Sequence, residues 1–283
     1  MRALVVGGTS GIGYAMACHV AAETSAALVT ISGRTKPQNI PHSNIDFRAL
    51  DATSMRQIKQ YTDEFKRMLQ SQRQTLDLLV MSQGIMTMAG RTETPEGIDR
   101  KMALHYYGKQ LLIRELLPAM KEDARVIIVF DGLTGNPDKL IWDDLGLKTH
   151  FSLGNAANHC MVMNDAMIQL YAAQQEREGD GSSRRLFVHA WPGGVNSGLW
   201  RELPWYVRPV GRVVGSLVGV SPDVCANYLL NGTAECAAQG RFWSNIDNKG
   251  RLIAKKVVWK EEQMKKIADH TWEVTDRALN TIS

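Results

Sequence analysis

The residues with the clearest chemical meaning form a glycine-rich stretch near the amino end of the chain. The stretch reads Val6-Gly7-Gly8-Thr9-Ser10-Gly11-Ile12-Gly13. It stands between a short apolar run and a segment with helical periodicity, where glycines permit a tight turn and bring the backbone close to phosphate oxygens. The free N–H groups and the positive dipole end of the following helix favour the same anion. We therefore predict a diphosphate-binding turn, although a glycine-rich loop alone can also be an ordinary turn.

Three further motifs follow this turn, each placed after a predicted strand. They are Asp51-Ala52, Ser82-Gln83-Gly84 and Pro192-Gly193-Gly194-Val195-Asn196-Ser197. Together with the glycines they resemble the short-chain dehydrogenase/reductases, over a span from Met1 to about Gly198. The resemblance implies a nicotinamide dinucleotide, with Asp51 near its adenine and the segment after Pro192 holding its carboxamide. The predicted cofactor-binding residues are Gly7, Thr9, Ser10, Gly11, Ile12, Gly13, Arg34, Asp51, Ala52, Ser82, Gln83, Gly84, Pro192, Gly193, Val195 and Ser197.

The residues after the second predicted strand indicate which dinucleotide is used. A site for NAD(H) places a carboxylate there to accept hydrogen bonds from the ribose 2′-OH. This chain has Ser32-Gly33-Arg34-Thr35-Lys36 instead. No carboxylate there repels a 2′-phosphate, and the Arg34 guanidinium can bind one bidentately. We predict NADP(H) as the cofactor; the alternative is that Arg34 simply stacks on the adenine.

The residues that carry hydride-transfer chemistry in the resembled family are replaced in this chain. That family uses a tyrosine as proton donor, a lysine one helical turn later that lowers the tyrosine pKa, a serine and an asparagine. No tyrosine of this chain is followed by a lysine four positions later. The best match places Phe151 at the tyrosine position and Asn155 at the lysine position. Asp131 takes the place of the serine and His105 that of the asparagine.

Some of these replacements could do chemistry of their own. Asp131 could hold a cationic substrate or act as a general base, and His105 and His150 could exchange protons near neutral pH. Each also has a structural explanation: Asp131 could cap the turn over residues 132–136, and His105 could be a packed residue of a long helix. The predicted catalytic positions are therefore Asp131, His105, Phe151 and Asn155.

Alternating apolar runs and helix-period segments position these motifs. The predicted strands are Ala3–Val6, Ala27–Ile31, Ile45–Leu50, Leu76–Met81, Val126–Phe130, Leu186–Trp191 and, as a seventh candidate, Arg241–Trp243. Helices are predicted after the glycine turn, from Met55 to Leu69, and over the long segments Ile98–Met120 and Gly154–Glu178. This alternation predicts an α/β fold: a Rossmann-like, doubly wound parallel sheet of about seven strands with helices on both faces.

The chain contains no linker or internal repeat that would divide it, so we predict a single domain over residues 1–283. Residues 198–222 interrupt the alternation, and ligands in such folds bind beyond the carboxyl ends of the strands. We therefore predict a substrate lid over this segment and a helical closure of the domain over residues 251–283. A bulky apolar ligand would suit the aromatic residues around the lid, which are Trp191, Trp200, Trp205 and Tyr206.

Charge and composition argue against several other classes of protein. The formal net charge is only +4 and the basic residues are scattered, which does not suit nucleic acid. The four cysteines have no metal-ligand spacing and suit a reducing compartment, so we predict no metal site. The apolar stretch Val207–Val220 is too short and too polar to span a membrane, and no signal peptide precedes the first strand. We expect a cytoplasmic protein that, by analogy of fold, forms a homodimer or homotetramer through its two long helices.

Three hypotheses for function remain open, each with a small-molecule ligand. The first is an oxidoreductase of secondary metabolism that transfers hydride between NADP(H) and a bulky apolar molecule without the tyrosine–lysine pair. The second is a non-redox cyclase, isomerase or dehydratase that keeps NADP(H) as a structural element and orients one reactive conformer. The third is a protein that senses NADP(H) without turnover. The aromatic residues around the lid favour an enzyme over a sensor. Because the cofactor motifs are intact, we favour the redox hypothesis by a small margin.

Overall fold

A computed structural model of the chain describes residues 1–23, 26–178, 184–196 and 219–281. The strands are β1 (Arg2–Val6), β2 (Leu28–Gly33), β3 (Ile45–Ala49), β4 (Leu76–Met81), β5 (Met120–Val129), β6 (Leu186–Ala190) and β7 (Trp243–Ile246). They form one sheet in the order β3-β2-β1-β4-β5-β6-β7, and every neighbouring pair is parallel. The order runs outward from β1 in both directions, so the predicted doubly wound α/β fold is confirmed.

Helices cover both faces of the sheet. One face carries α1 (Gly11–Glu23) and α6 (Pro222–Ala238), and the other carries α2 (Met55–Ser71), α4 (Gly108–Leu116), α5 (Leu153–Glu178) and α7 (Glu261–Asn280). All five residues of β1 and of β6 are buried, as expected for strands with helices on both sides. The sheet therefore leaves its carboxyl edge, where parallel strands end and loops begin, as the place for a ligand.

The long helix predicted over Ile98–Met120 is shorter and is interrupted. A single turn, α3 (Arg100–Met102), leads into a π-helical turn (Ala103–Tyr107) and then into α4. A 3₁₀ turn that contains Pro118 follows, because proline lacks the N–H that would continue the helix. Met120 already belongs to β5, where it pairs with Leu76. The prediction started this strand at Val126 because the polar, exposed residues before it carry no apolar pattern.

Two further boundaries differ from the prediction. The seventh strand is Trp243–Ile246 rather than Arg241–Trp243, since buried Ser244 and Asn245 have no apolar signature. Helix α6 begins at Pro222, which the prediction had assigned to the lid. Ser221 caps this helix by accepting a hydrogen bond from the backbone N–H of Val224, and proline is favoured at the first helical position. Most of the predicted lid, including Trp200, Trp205 and Tyr206, lies outside the described residues.

The C-terminal helix α7 packs across α5 and the π-helical turn. The hydroxyl groups of Tyr106 and Thr271 are 2.6 Å apart, and the Arg114 guanidinium carbon lies 4.9 Å from the ring centroid of Trp272. Arg114 also pairs with Asp276 at 2.7 Å. These contacts seat α7 on the outer side of α4 and α5. Among the described helices, none is both long and apolar enough to cross a bilayer.

Candidate functional site

The carboxyl edge of the sheet brings the predicted cofactor motifs together. Gly7 follows β1, Arg34 follows β2, Asp51 comes soon after β3, Ser82 follows β4 and Pro192 comes soon after β6. Five separate segments of the chain thus follow strands that end along one edge of the sheet, and we call this edge the cofactor cleft. Ser197, also predicted to contact the cofactor, lies outside the described residues.

The first turn of this cleft requires glycine for steric reasons. Gly7 has φ +80°, a left-handed conformation, and a Cβ atom there would collide with the backbone of Gln83. A Cβ atom on Gly13 would collide with the Ser82 hydroxyl and lie 2.7 Å from the carbonyl oxygen of Gly7. The Ser82 hydroxyl donates to that same carbonyl oxygen at 3.2 Å. The glycine turn and the segment after β4 are therefore fitted against each other, with no room for a larger side chain.

A buried amide beside this turn lacks a partner. Gln83 is only 8% exposed, yet neither the nitrogen nor the oxygen of its side-chain amide has a hydrogen-bond partner among the described residues. Leaving a buried polar group unsatisfied costs about 1–3 kcal/mol, so such groups are rare without a reason. A ribose or diphosphate bound against the glycine turn would supply donors and acceptors at this place. The residues present therefore fit a dinucleotide.

The residues after β2 are exposed and basic. Arg34 and Lys36 lie at the surface, and Gly33 packs against the side chain of Thr9 in the glycine turn. After the neighbouring strand β3, where the N–H of Leu50 donates to the carbonyl oxygen of Gly33, one carboxylate oxygen of Asp51 accepts hydrogen bonds from the backbone N–H and the hydroxyl of Thr53. Asp51 is thus fixed beside its own turn, while the two basic side chains face solvent at the end of β2.

The two positions matched to the tyrosine and lysine of the resembled family lie at the start of α5. Phe151 precedes the helix, and its ring centroid is 5.0 Å from the ammonium nitrogen of Lys101. Lys101 itself donates to the carbonyl oxygens of Ala89 and Gly90. The Asn155 amide donates to the backbone of the preceding loop, to the carbonyl oxygen of His150. Neither Phe151 nor Asn155 offers an ionisable group.

The structure argues against His105 as an acid–base group. Its Nε2 atom accepts a hydrogen bond from the backbone N–H of Ile85 at 3.0 Å. Burial, reinforced by the positive charges of Lys109 and Lys101, lowers the pKa of His105 to about 3. The ring is therefore neutral near pH 7 and holds the loop after β4, which agrees with the structural alternative.

Lys109 is a buried amine that no sequence pattern marked as a candidate. It has no exposed surface, and its ammonium nitrogen donates at 3.0 Å to the carbonyl oxygens of Met81 and Val129, the last residues of β4 and β5. Burial lowers its pKa to about 7. Below that pH the amine carries the positive charge that acts on His105, and above it the uncharged amine directs both of its N–H groups at the strand ends. Lys109 thus joins β4 and β5 directly beneath the cleft.

Asp131 caps its own turn. One carboxylate oxygen accepts from the backbone N–H groups of Leu133 and Thr134, and the other accepts from the Thr134 hydroxyl. This is the structural role that the sequence offered as the alternative. A carboxylate has about four lone-pair positions, so these three bonds leave one position free and leave the negative charge in place.

A buried ionic cluster fixes the turn of Asp131 from below. The carboxylate of Asp165 on α5 lies 2.6 Å from the Nδ1 atom of His189, from the ammonium nitrogen of Lys256 and from the amide nitrogen of Asn245. Asn245 also donates to the carbonyl oxygen of Gly132 at 2.9 Å. Burial raises the pKa of Asp165, but His189 and Lys256 outweigh it and hold the pKa low. The sequence signal that could have revealed this cluster is His189 in the apolar run of β6, because a buried imidazole needs hydrogen-bond partners.

The remaining histidines of α5 and its preceding loop are engaged in local structure. The Nε2 atom of buried His159 accepts from the backbone N–H of Ile141 at 3.0 Å. His150 is exposed, and its Nδ1 atom lies 3.1 Å from the carboxylate of Asp144. Neither ring reaches a cofactor motif through a hydrogen bond within the described residues.

Comparison with known proteins agrees with this geometry. A family model described as short chain dehydrogenase matches residues 1–132. An oxidoreductase of Emericella nidulans, AN1596, is 31% identical over 230 residues, which cover 77% of this chain and 65% of that protein. Human polyprenol dehydrogenase is 27% identical over 235 residues, covering 78% of this chain and 68% of that protein. This chain thus spans just under two thirds of the length of the Emericella relative.

Solved structures share the fold at lower identity. The NADPH-bound carbonyl reductase from chicken fatty liver superposes with a TM-score of 0.59 at 16% identity, over 90% of this chain and 98% of that one. At this identity the likeness concerns the fold alone. The order of the strands, the glycine turn and the matched family model are all consistent with a short-chain dehydrogenase fold.

Proposed function

The chain belongs to the short-chain dehydrogenase/reductase family, and from this premise we propose that it is an NADP(H)-dependent oxidoreductase acting on a bulky apolar small molecule. The observation that carries the proposal is the buried amide of Gln83, which has no hydrogen-bond partner in the part of the chain that the structure describes and lies beside the sterically constrained Gly7. Similar proteins named oxidoreductase and polyprenol dehydrogenase support redox chemistry and an apolar substrate.

The preference for NADP(H) rests on the end of β2. Arg34 and Lys36 are exposed there, and a guanidinium can form bidentate hydrogen bonds with a 2′-phosphate. NADPH and NADH would be titrated by fluorescence against the wild type, Arg34→Ala and, as a control on an exposed helix face, Arg67→Ala. We expect Arg34→Ala to raise the Kd for NADPH by about tenfold or more and to leave that for NADH unchanged. Tighter binding of NADH than of NADPH by the wild type would overturn the cofactor assignment.

The preference for an apolar substrate rests on the same edge of the sheet. Met86 and Met88 after β4, Leu133 after β5 and Leu153 at the start of α5 are exposed, and Met88 is 62% exposed. Large apolar side chains in loops above a cleft are typical of sites that bind hydrophobic ligands. They support a substrate with a substantial apolar body.

The proposed reaction does not need the tyrosine–lysine pair. When bound, NADPH supplies a hydride from its nicotinamide C4. Among the chain's own residues, Asp131 presents a negative charge that would stabilise a cationic carbon–nitrogen double bond, and such a group is reduced to an amine by hydride alone. No proton donor is then required, which accords with Phe151, Asn155 and neutral His105 at the matched positions.

One observation favours the non-redox alternative. The predicted proton-transfer positions offer a phenyl ring, an amide and a neutral buried imidazole, which suits a pocket that orients a substrate and retains NADP(H) as a structural element. The two functions differ in whether NADPH is consumed as product forms. With a candidate substrate pool and stoichiometric NADPH, loss of NADPH absorbance in step with product formation would support the oxidoreductase. Product formation at constant absorbance would support the alternative.

A further inference from the structure

A cavity of about 270 Å³ lies apart from the cofactor cleft, between α7, the π-helical turn and the loop before α5. The Tyr107 hydroxyl lies 2.8 Å from the Nε2 atom of His270 at its floor. The lining contains none of the predicted cofactor or catalytic residues. His105, two residues before Tyr107, instead contacts Gly84 and Ile85 in the cleft. The π-helical turn therefore separates the two sites.

Apolar side chains form much of the interior of this cavity, beside two carboxylates that accept hydrogen bonds from the backbone. Ile98, Leu145 and Val274 line it and are each at most 7% exposed, and the Tyr107 side chain adds an aromatic surface. Burial lowers the pKa of His270 to about 4, so its ring carries no charge near pH 7. The volume lies just below the range of drug-sized pockets, which is about 300–1,000 Å³. The interior thus suits a fragment-sized hydrophobic group.

Two of the four carboxylates around the cavity are already satisfied. Asp99 is 1% exposed and accepts hydrogen bonds from the backbone N–H groups of Thr92, Lys101 and Met102. Asp144 accepts from the backbone of Lys148, Thr149 and His150, and although burial raises its pKa, these donors hold the pKa at about 2. The other two, Asp143 and Glu273, are exposed at the rim.

The cations at the rim outnumber these exposed carboxylates. Lys266 is 4.0 Å from Asp143 and Arg277 is 3.5 Å from Glu273, both long contacts at exposed positions. The ammonium group of Lys148 has no hydrogen bond or ion pair with any described residue. Arg91 is paired with Glu93 at 2.9 Å and donates to the carbonyl oxygens of Gly146 and Leu147, so it adds no unpaired charge. Around the mouth of the cavity, three exposed cations, Lys148, Lys266 and Arg277, therefore stand against two exposed carboxylates.

We propose that this cavity binds a small organic carboxylate, with the apolar body on the floor and the carboxylate among Lys148, Lys266 and Arg277. Charge-assisted hydrogen bonds to the carboxylate and burial of the apolar body would act together. Arg91 already joins the loop after β4 to the loop before α5. A ligand held here would therefore stabilise both loops, the first of which contains Ile85 and the second Phe151. The proposal is independent of the reaction catalysed in the cleft.

Gly146 offers a way to block the cavity. A Cβ atom on Gly146 would meet His270 and the Tyr107 hydroxyl at 3.5–3.7 Å, which is ordinary contact. Gly146→Ala is therefore tolerated, whereas Gly146→Val places further methyl groups between these two side chains. Benzoate is the probe, benzamide is its uncharged counterpart, and binding is measured by calorimetry and by the shift in Tm with NADPH present at saturation.

We expect benzoate to bind saturably and raise the Tm of the wild type and of Gly146→Ala, but not of Gly146→Val. Lys148→Gln and Arg277→Gln, which leave the floor intact, should each raise the Kd of benzoate by about two- to fivefold. Equal binding of benzamide and benzoate would refute the role of charge. Unchanged benzoate binding by Gly146→Val would place the ligand elsewhere, and no binding by the wild type would reject the site.

Discussion

At the scale of single residues, the matched tyrosine position keeps an aromatic ring and a neighbouring cation but has no hydroxyl group. Phe151 lies under the ammonium of Lys101, which is fixed by two backbone carbonyl oxygens. Asn155 uses its amide to hold the carbonyl oxygen of His150. Both side chains act in local structure, and neither one is a proton donor whose pKa a nearby positive charge could lower.

The first residue-scale prediction restores that donor. Phe151→Tyr combined with Asn155→Lys should give NADPH-dependent reduction of an aromatic aldehyde at least about 100-fold faster than either single variant, because general acid catalysis contributes on this order. Absorbance of NADPH measures the rate. The matched control is Phe151→Tyr with Asn155→Gln, which adds the hydroxyl without the charge. If that control were equally active, the lysine position would have no part in the chemistry.

The second residue-scale prediction concerns Asp131. Its hydrogen bonds within the turn leave its charge available, so Asp131→Asn should lower kcat/KM for a cationic iminium substrate by about tenfold while sparing a neutral activated alkene. Steady-state kinetics give kcat/KM for both substrates with the wild type and with the variant. Equal losses for both would show that Asp131 serves only to shape the turn.

At the scale of elements, the π-helical turn is held by a ladder of buried amides. The Asn164 amide donates to the carbonyl oxygen of His105 at 3.0 Å and accepts from Gln110 at 2.7 Å. Tyr171 donates to Gln110 at 2.9 Å. Turns of this kind leave carbonyl groups without the usual helical donor and occur often at functional sites. Here Asn164 on α5 supplies the donor for the carbonyl oxygen of His105. This bond fixes the backbone of His105, whose ring contacts Ile85 at the cleft.

An element-scale prediction follows from the Lys109 amine between β4 and β5. Its pKa is about 7 in the folded chain and 10.5 when unperturbed. Between these values the unfolded chain holds a proton that the folded chain has released, so raising the pH favours folding. Urea unfolding should show the stability of the wild type rising relative to Lys109→Met above about pH 7, by at most about 1.4 kcal/mol per pH unit, and staying level below it. A difference that is constant with pH would contradict a neutral Lys109.

The elements also show what the sequence could and could not predict. Strand β4, over Leu76–Met81, matches its prediction because, apart from Asp77, its residues are apolar and buried, as is typical of a parallel strand with helices on both faces. The bounds of edge strand β7 and the start of β5 were predicted wrongly, since these positions depend on pairing with neighbouring strands rather than on their own apolar pattern. The glycine turn could be located from spacing alone. The neutral state of His105 could not, because it results mainly from burial, which only the tertiary fold produces; Lys101 and Lys109 stand four positions to either side in the sequence.

At the scale of the whole molecule, α7 occupies the surface through which a dimer was expected. Apart from the ends, most of α5 is buried, and α7 lies on it through the contacts of Arg114 and Tyr106. Segment 257–259 is also joined to α5, since Gln169 donates to the carbonyl oxygen of Val257 and accepts from the N–H of Trp259. The two long helices are therefore covered from within the chain.

The whole-molecule prediction is a monomer. Light scattering coupled to size-exclusion chromatography should give a mass near the 31.5 kDa of one chain, because association through α4 and α5 would first require removal of α7. Arg114→Ala with Trp272→Ala, which loosens α7, should shift the protein toward larger species. A dimer whose mass is insensitive to that double variant would show that another surface mediates association.

The π-helical turn also makes this region unusually sensitive to changes in chain length. One residue rotates a helix by about 100°, so deleting a single residue from Ala103–Tyr107 would turn the segment into regular α-helix while leaving α4 unaltered. The imidazole would then swing away from Ile85, and the loop after β4 would lose its anchor. Relatives that differ here by a one-residue gap should thus have a differently shaped cleft, even where every neighbouring letter is the same.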